Sequence, residues 1–369
     1  MSKATALVQH GPEKFEFEEF DFPTLGEGDV LVKVEANGLC ASDFDAYHCI
    51  DGPWDGRPRI LGHEIVGVIQ DMGPKSINRR GLEVGDRVCV NPFVPCGICS
   101  ACIIGDLSGC TGHADRLRYG MVPTSVSPSL WGGYSTHTFV PRQGILYKVP
   151  TEVSALDATL WQPIAGGFEW AITQGGRRVG DRLLILGPGQ RGLGAILAAR
   201  HAGAGQVVTT GLTRDKFKLD VALAIGSDAV IDIEKENFVE RCHELTDGQG
   251  FDVILDTTPH TVTPINDSVS VMRRGGTIVV IGVKNRNLDG FPIDRFMMKQ
   301  GTLKVWPGSS DRSYRLALDV VASQPEALKL LRTHVFGFDR LGTAIDVLMG
   351  NVPGENAINV VVQPTLTDS

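Results

Sequence analysis

The stretch Arg182-Leu-Leu-Ile-Leu186, followed directly by Gly187-Pro-Gly189-Gln-Arg-Gly192-Leu-Gly194, decides the fold of this chain. The first five residues predict a buried strand, and residues 195–200 after the glycines predict a helix. A glycine series between a strand and a helix indicates a turn that binds a dinucleotide, because the first glycine permits the turn, the second lets a pyrophosphate approach the backbone and the third allows close helix packing. The alternative is a glycine-rich turn that binds nothing.

The region after residue 174 continues this rhythm of strand and helix. Further apolar, β-branched runs lie at residues 206–210, 229–232, 252–256 and 277–281. Continuous runs of this kind are typical of parallel strands that are covered on both faces. We therefore predict a doubly wound, parallel-sheet α/β domain over residues 174–300.

The rest of the chain predicts a second domain, formed by residues 1–173 and 301–369. Residues 29–35 alternate apolar and polar side chains as a half-buried strand does, and residues 65–69 and 87–90 predict further strands of an irregular β-barrel or sandwich. After residue 300 the pattern predicts helices at 312–331 and 340–348 and a last strand at 357–362 that returns to the first domain.

Charge and hydropathy exclude several classes of function. The chain of 369 residues has a formal net charge of −8, and its nearest approach to a basic cluster is the pair Arg79-Arg80. Binding to nucleic acid or to an anionic membrane rests on clustered positive charge, so neither partner is expected. The first residues show no secretory signal and no apolar run reaches membrane-spanning length, so we expect the cytoplasm as the location.

Four of the eight cysteines form a tight cluster within residues 91–112. The spacing is Cys96-x-x-Cys99-x-x-Cys102 followed by Cys110, with Gly97 at the first turn. Four thiolates on one loop suit tetrahedral Zn²⁺ in a closed, structural site. Disulfides and an iron–sulfur cluster are the alternatives for such short spacings.

A dispersed set of metal-ligand residues precedes this cluster. Cys40 lies in Gly38-Leu-Cys-Ala-Ser-Asp43, and His63 lies in Leu61-Gly-His-Glu64. A catalytic zinc needs about three protein ligands and one open position, and these two residues could supply two of them. A buried cysteine or a lone histidine is also common without any metal.

Taken together and in this order, these motifs resemble those of the medium-chain dehydrogenase/reductase superfamily, in its zinc-containing alcohol and polyol dehydrogenase branch. The resemblance covers nearly the whole chain. It implies a GroES-like β-barrel catalytic domain beside the Rossmann domain, and a homodimer or homotetramer joined through the nucleotide-binding domains. It also implies that Cys40 and His63 bind a catalytic zinc, that Glu64 is a direct or intermittent ligand, that Asp43 orients the His63 ring, and that Ser42 takes the alcohol proton.

The chain departs from the family pattern at two places. Polyol dehydrogenases carry a Glu-Pro pair at the third ligand, whereas this chain has Gln162-Pro163. We expect Gln162 near the metal, directly or through water, with Glu169 as an acidic rival. Many members carry a proton-relay histidine where this chain has Asp45, so we hypothesise that Asp45 or His48 completes the relay.

The end of the second strand of the α/β domain bears on the choice between NAD and NADP. An acidic residue there would bind the ribose 2′-hydroxyl, but Gly211 stands in its place. Thr213 and Arg214 could hold a 2′-phosphate instead, which favours NADP over NAD.

These residues predict a zinc-dependent oxidoreductase that transfers a hydride between a primary or secondary alcohol and NAD(P). Polyols, sugars and cyclic or aromatic alcohols all stay open as substrates, and Tyr47, His48, Trp54, Phe93 and Trp131 are candidate pocket residues. The alternatives are a zinc-free quinone or enoyl reductase of the same superfamily, which would lack the Cys40/His63 pair, and a non-enzymatic zinc-ribbon binding protein.

Overall fold

The computed structural model describes residues 3–50, 54–74, 81–113 and 117–364. The chain divides into two compact units, Met1–Leu160 with Arg332–Ser369, and Trp161–Leu331. Within the described ranges, no helix is both long enough and apolar enough to cross a membrane. The Arg79-Arg80 pair lies outside the described residues.

The strands and helices are numbered here in chain order. The strands are β1 (Lys3–Gly11), β2 (Lys14–Asp21), β3 (Val30–Gly38), β4 (Arg59–Ile60), β5 (Glu64–Met72), β6 (Arg87–Val90), β7 (His137–Val140), β8 (Leu146–Lys148), β9 (Arg182–Leu186), β10 (Gln206–Gly211), β11 (Ala229–Asp232), β12 (Phe251–Asp256), β13 (Met272–Val280), β14 (Thr302–Val305), β15 (Arg332–Gly337) and β16 (Asn359–Gln363). The helices are α1 (Ala41–His48), α2 (Ser100–Ile103), α3 (Ala155–Ala158), α4 (Trp161–Gly167), α5 (Gln190–His201), α6 (Lys216–Ala224), α7 (Phe238–Leu245), α8 (Thr263–Val271), α9 (Ile293–Met298), α10 (Asp311–Ser323), α11 (Pro325–Leu331) and α12 (Leu341–Met349).

The first unit is built from two sheets. One has the strand order β2-β1-β4, and the other has the order β15-β16-β3-β5-β6-β8, with β7 paired to β3. The β3 and β5 strands run antiparallel, and their apolar side chains belong to one buried core. The last strand, β16, pairs with β3, which confirms that the end of the chain returns to this unit. The predicted strands at 29–35, 65–69 and 87–90 correspond to β3, β5 and β6.

The second unit contains a six-stranded parallel sheet with the order β11-β10-β9-β12-β13-β14. The strand order reverses between β9 and β12, where open sheets of this type bind ligands. Buried Val, Ile and Leu side chains fill the central strands, as the uninterrupted apolar runs predict. The doubly wound α/β prediction is confirmed.

The boundaries of the second unit differ from the predicted 174 and 300. The unit begins at Trp161 because α4 packs closely on α5: a Cβ on Gly194 would lie 2.8 Å from the Pro163 backbone. It extends to Leu331 because β14 adds a sixth parallel strand and α10 packs against α4, with the Trp161 and Tyr314 ring centroids 4.6 Å apart. The sequence around residue 300 lacks a long apolar run, so this edge strand was not predicted.

Candidate active site

The antiparallel pairing of β3 and β5 brings three buried ligand-type side chains together. Gly38, the last residue of β3, pairs with Glu64, the first residue of β5. Cys40 follows the end of β3 and His63 precedes the start of β5, so the pairing of these strand ends brings the two residues close together. The thiol of Cys40, the imidazole of His63 and the carboxylate of Glu64 place one ligand atom each within 4.8 Å of one another. Sulfur, nitrogen and oxygen donors in one buried cluster fit the preferences of zinc.

Asp43 connects two of these residues. Cys40 is the residue that caps the N-terminus of α1, and its backbone N–H donates to Asp43 Oδ2 over 2.8 Å. The other oxygen, Oδ1, lies 3.5 Å from His63 Nδ1. A carboxylate on one ring nitrogen orients the imidazole and leaves the other nitrogen for a cation.

The electrostatics of the cluster favour a positive charge. Burial by itself would lower the pKa of His63, but the carboxylate of Asp43 and the thiol of Cys40 raise that pKa to about 10. The same negative surroundings that stabilise an imidazolium would stabilise a bound cation. The residues present thus fit a zinc ion in both donor type and charge.

Two glycines leave space for this arrangement. Gly62 has a φ of +87°, and a Cβ there would lie 2.7 Å from the ring of Tyr134. A Cβ on Gly38 would lie 2.4 Å from Glu64 Oε2. Their presence in the sequence beside Cys40 and His63 therefore has a steric reason.

A cavity of about 220 Å³ opens beside the cluster within the first unit. Its lining includes His63, Ser42, Asp43 and Asp45. The Ser42 hydroxyl is buried and has no hydrogen-bond partner among the described residues, so it is available to a bound molecule. His48 does not line this cavity; its Nδ1 lies 2.8 Å from Glu13 Oε1.

The two candidates for a further metal ligand have different surroundings. Glu169 is buried, and its carboxylate accepts hydrogen bonds from Ser310, Ser313 and Gln174. It therefore stabilises the beginning of α10, and its role as a rival ligand stays a prediction. Gln162 lies in α4, and its buried Oε1 has no hydrogen-bond partner within the described part of the chain.

The second cysteine set forms a compact cluster in the loop around α2. The sulfur atoms of Cys96, Cys99, Cys102 and Cys110 lie within 4.8 Å of one another. All eight cysteines are free thiols in this structure. Gly97 has a φ of +78°, as expected for the tight turn, and backbone N–H groups of Cys102 and Thr111 lower the pKa of Cys99 to about 6. The steric role of Gly112 was not predicted from the sequence. This glycine leaves space for Cys96 Sγ, because a Cβ on Gly112 would lie 2.2 Å from that sulfur.

The glycine series occupies the turn between β9 and α5. Gly187 has a φ of +98°, and a Cβ on Gly192 would lie 2.1 Å from the Gly187 carbonyl oxygen. Gly194 permits the contact of α5 with α4, whereas Gly189, which caps α5, has open space where a Cβ would be. Gly187 and Gly192 thus have the steric roles that the series predicts, whereas the approach of a pyrophosphate at Gly189 stays a prediction.

The end of β10 presents charges of both signs. Gly211 lies against Pro188 and Leu219, so packing alone explains its lack of a side chain. The Thr213 hydroxyl donates to the Asp232 carboxylate at 2.9 and 3.0 Å, and the Thr213 N–H donates to Glu234. Arg214 is exposed.

None of the aromatic residues suggested for the pocket lines the cavity. Trp131 is a core residue whose Nε1–H donates to the Val126 carbonyl, and Tyr47 stacks on Phe15. Trp54 and Phe93 each lie against an arginine that does line the cavity, Arg59 and Arg118 respectively. Neither arginine was predictable from the sequence, because neither belongs to a motif and only the folding of the chain brings them to the cavity.

Comparison with known proteins agrees with this geometry. A family model for the alcohol dehydrogenase GroES-like domain matches residues 26–151, and a model for zinc-binding dehydrogenases matches residues 192–323. The chain is 34% identical to a "Probable alcohol dehydrogenase" of Mycobacterium tuberculosis, over 86% of this chain and 87% of that protein. It is 30% identical to the erythritol/L-threitol dehydrogenase of Mycolicibacterium smegmatis, over 76% of both chains.

A solved structure extends the likeness of the fold. The alcohol dehydrogenase of Thermotoga maritima superimposes with a TM-score of 0.87 at 23% identity, covering 99% of this chain and all of that one. The similarity thus includes both the sheet-rich first unit and the parallel-sheet second unit.

Proposed function

Because this chain belongs to the zinc-containing alcohol dehydrogenase family of the medium-chain dehydrogenase/reductase superfamily, we propose that its cavity beside Cys40 and His63 is the site of hydride transfer. The chain is an oxidoreductase of the alcohol and polyol dehydrogenase type. The observation that carries the assignment of the site is the buried Cys40, His63 and Glu64 cluster, held by Asp43 at the wall of a cavity.

Cys40, His63 and Glu64 would hold the catalytic zinc. That Gln162 supplies a further ligand, directly or through a water, stays a prediction from the sequence. A zinc bound by Cys40, His63 and Glu64 would lower the pKa of an alcohol and polarise a carbonyl as a Lewis acid. Cys96, Cys99, Cys102 and Cys110 would hold a second, structural zinc. Both ligand sets distinguish this chain from zinc-free reductases.

Ser42 would accept the proton of the alcohol. Its buried Oγ faces no other hydrogen-bond partner among the described residues and belongs to the cavity lining, so a substrate hydroxyl is a natural partner. Asp45 lines the same cavity three residues further along α1, whereas His48 is turned to Glu13. We therefore favour Asp45 over His48 as the next proton acceptor. The alcohol carbon loses a hydride to the nicotinamide ring, so the alcohol is oxidised by two electrons and the dinucleotide is reduced.

The N-terminus of α5 would bind the pyrophosphate of the dinucleotide. The open space at Gly189 supports this placement, because a phosphate oxygen can reach backbone N–H groups there without meeting a side chain. For the adenosine end we propose NADP as the preferred cofactor. Arg214 is exposed and supplies a guanidinium for a 2′-phosphate, while the carboxylates of Asp232 and Glu234 beside Thr213 oppose it.

We further propose a cytoplasmic homodimer or homotetramer. Eight free thiols suit a reducing compartment. Val305 on the edge strand β14 is 71% exposed, and Met297 and Met298 of α9 are also exposed; sheet edges and exposed apolar side chains are commonly covered by a second copy. Light scattering of the purified protein would give the number of chains.

A substrate panel tests the proposed reaction. Wild-type protein is assayed with erythritol, sorbitol, 2,3-butanediol and benzyl alcohol, each with NAD and with NADP, together with Ser42→Ala. We expect reduction of the dinucleotide by at least one alcohol and a loss of kcat of about 100- to 10,000-fold in the variant at unchanged zinc content. Unchanged kcat in Ser42→Ala would contradict the proton-transfer role, and a zinc-loaded wild type inactive with a broader alcohol and carbonyl panel would contradict the proposed function.

A further inference from the structure

Arg118 gives the cavity a positive charge that the proposed reaction does not use. Its backbone is fixed on a segment that crosses the cavity wall: Tyr119 N–H donates to the Pro92 carbonyl over 2.9 Å, and Phe93 and Arg118 form a β-bridge. Two residues later, Gly120 packs against Gly62, since a Cβ on Gly120 would lie 3.3 Å from the Gly62 nitrogen. Arg118 and His63 both line this cavity.

Among the described residues, no side chain neutralises the guanidinium of Arg118. Its carbon lies 5.5 Å from the centre of the Phe93 ring, and its buried Nε has no hydrogen-bond partner in the described part of the chain. No carboxylate within the described ranges forms an ion pair with it. A buried donor without an acceptor costs stability, which a bound acceptor would recover.

Three other charged groups of the lining and the phenol of Tyr119 each have a polar partner. Arg59 donates to Gln9 Oε1 and stacks on Trp54. The Asp55 carboxylate pairs with Arg57 at 2.9 Å, and Asp43 is occupied by His63 and the Cys40 N–H. The phenol of Tyr119 donates to the Phe139 carbonyl, so it is committed elsewhere.

From these contacts we infer that Arg118 determines substrate specificity by binding an oxyanion, a carboxylate or a phosphate, on the alcohol substrate. This inference rests on the proposed function, because it identifies the substrate class of the same cavity. A guanidinium donates two parallel hydrogen bonds to such a group, and the Phe93 ring holds its plane. Asp45 lines the same cavity and opposes an anion placed beside it. The oxyanion is therefore bound at Arg118 and not beside Asp45.

Matched substrates separate this role from a purely structural one. Erythritol, erythronate and erythritol 4-phosphate share one carbon skeleton and differ in the terminal group, and benzyl alcohol with 4-(hydroxymethyl)benzoate forms a rigid second series. The variants are Arg118→Met, which keeps an unbranched side chain against Phe93, and Arg118→Lys, which keeps the charge. Arg142→Met is the control, since Arg142 is exposed and does not line the cavity.

In the wild type we expect kcat/KM to be higher for an anionic member than for the neutral member of its series. Arg118→Met should reduce that ratio about 10- to 100-fold, mainly through KM, while Arg118→Lys restores part of it and Arg142→Met leaves it unchanged. A larger effect on erythronate identifies a carboxylate substrate, and a larger effect on erythritol 4-phosphate identifies a phosphate. The same ratio in wild type and Arg118→Met would overturn the inference while leaving the alcohol dehydrogenase function intact.

If the enzyme turns over none of these probes, calorimetric titration still tests the oxyanion site separately from the proposed reaction. Erythronate and erythritol 4-phosphate are titrated into the zinc-loaded wild type and into Arg118→Met. Binding to the wild type that weakens at least 10-fold in Arg118→Met supports the oxyanion site even when the proposed reaction fails. Binding of equal strength to both proteins, or no binding to either, would refute it.

Discussion

The Asp43 carboxylate lies 3.5 Å from His63 Nδ1 and accepts the backbone N–H of Cys40 over 2.8 Å. A single side chain thus ties together two residues that are 23 positions apart in the sequence. The hydrogen bond to Cys40 caps α1, and the contact with His63 orients a ring that precedes β5. Local helix capping and the geometry of a proposed metal site are therefore coupled through one residue.

This coupling predicts that Asp43→Asn weakens zinc binding at the proposed catalytic site. The amide removes the negative charge beside His63, although it can still accept the Cys40 N–H. We expect the affinity for the more weakly held zinc to fall about 10- to 100-fold. Competition with a fluorescent chelator measures this affinity. Asp319→Asn, at an exposed position of α10, is the control, and equal zinc affinity in both variants would contradict the coupling.

The proton relay predicts different pH–rate profiles for two variants. Asp45→Asn should lower kcat and alter its pH dependence, because Asp45 lines the cavity beside Ser42. His48→Ala should preserve the profile, since the His48 ring contacts Glu13 outside the cavity lining. The measurement is kcat from pH 5 to 10 for both variants. A normal profile for Asp45→Asn would remove Asp45 from the relay, and an altered profile only in His48→Ala would reverse the assignment.

The proposed cofactor preference predicts opposite effects of two substitutions beside Thr213. Arg214→Ala should raise KM for NADP about 10-fold or more with little change for NAD, because the 2′-phosphate loses a charge-assisted hydrogen bond. Asp232→Asn should improve use of NADP, because it removes a carboxylate that opposes the phosphate. Initial rates with both dinucleotides decide this. The proposal would be contradicted if the wild type prefers NAD and the Arg214→Ala variant uses NAD and NADP equally well.

If the cysteine cluster binds a structural zinc, removing one of its ligands should lower the stability of the protein without abolishing catalysis. Cys99→Ser should release one zinc per chain and lower the melting temperature, since a structural zinc contributes to folding free energy. Activity per remaining catalytic zinc should persist below the new melting temperature. Cys242→Ser serves as the control, because Cys242 is buried in α7 outside both clusters. Unchanged zinc content in Cys99→Ser would contradict a zinc site there.

The comparison of sequence with structure shows which features local patterns can reveal. The turn from β9 to α5 was predictable because Gly187 and Gly192 each have a local steric purpose. The grouping of Cys40 with His63 was suggested by family motifs, but the reason for it is the β3–β5 pairing, which no local pattern specifies. The hydrogen bonds of the Glu169 carboxylate could not be predicted, because the groups that donate to it, on Ser310 and Ser313, are more than 140 positions away in the sequence.

The cavity lining was the least predictable part of the site. Aromatic residues near the motifs were the natural candidates for the lining. However, Trp131 packs into the protein interior, and Tyr47 packs against Phe15. Arg118 reaches the lining through a β-bridge to Phe93 and the contact of Gly120 with Gly62. Both contacts join segments whose pairing depends on tertiary structure, so no spacing in the sequence indicates them.

The central claim, a catalytic zinc held by Cys40, His63 and Glu64 apart from the cysteine cluster, is tested most directly by the zinc content of the purified protein. Zinc per chain is measured by atomic emission for the wild type and for Cys40→Ser, with turnover of the best alcohol recorded on the same samples. We predict two zinc ions per chain in the wild type and one in Cys40→Ser, with activity lost. One zinc per chain in both proteins would contradict the claim, because Cys40 and His63 would then bind no metal.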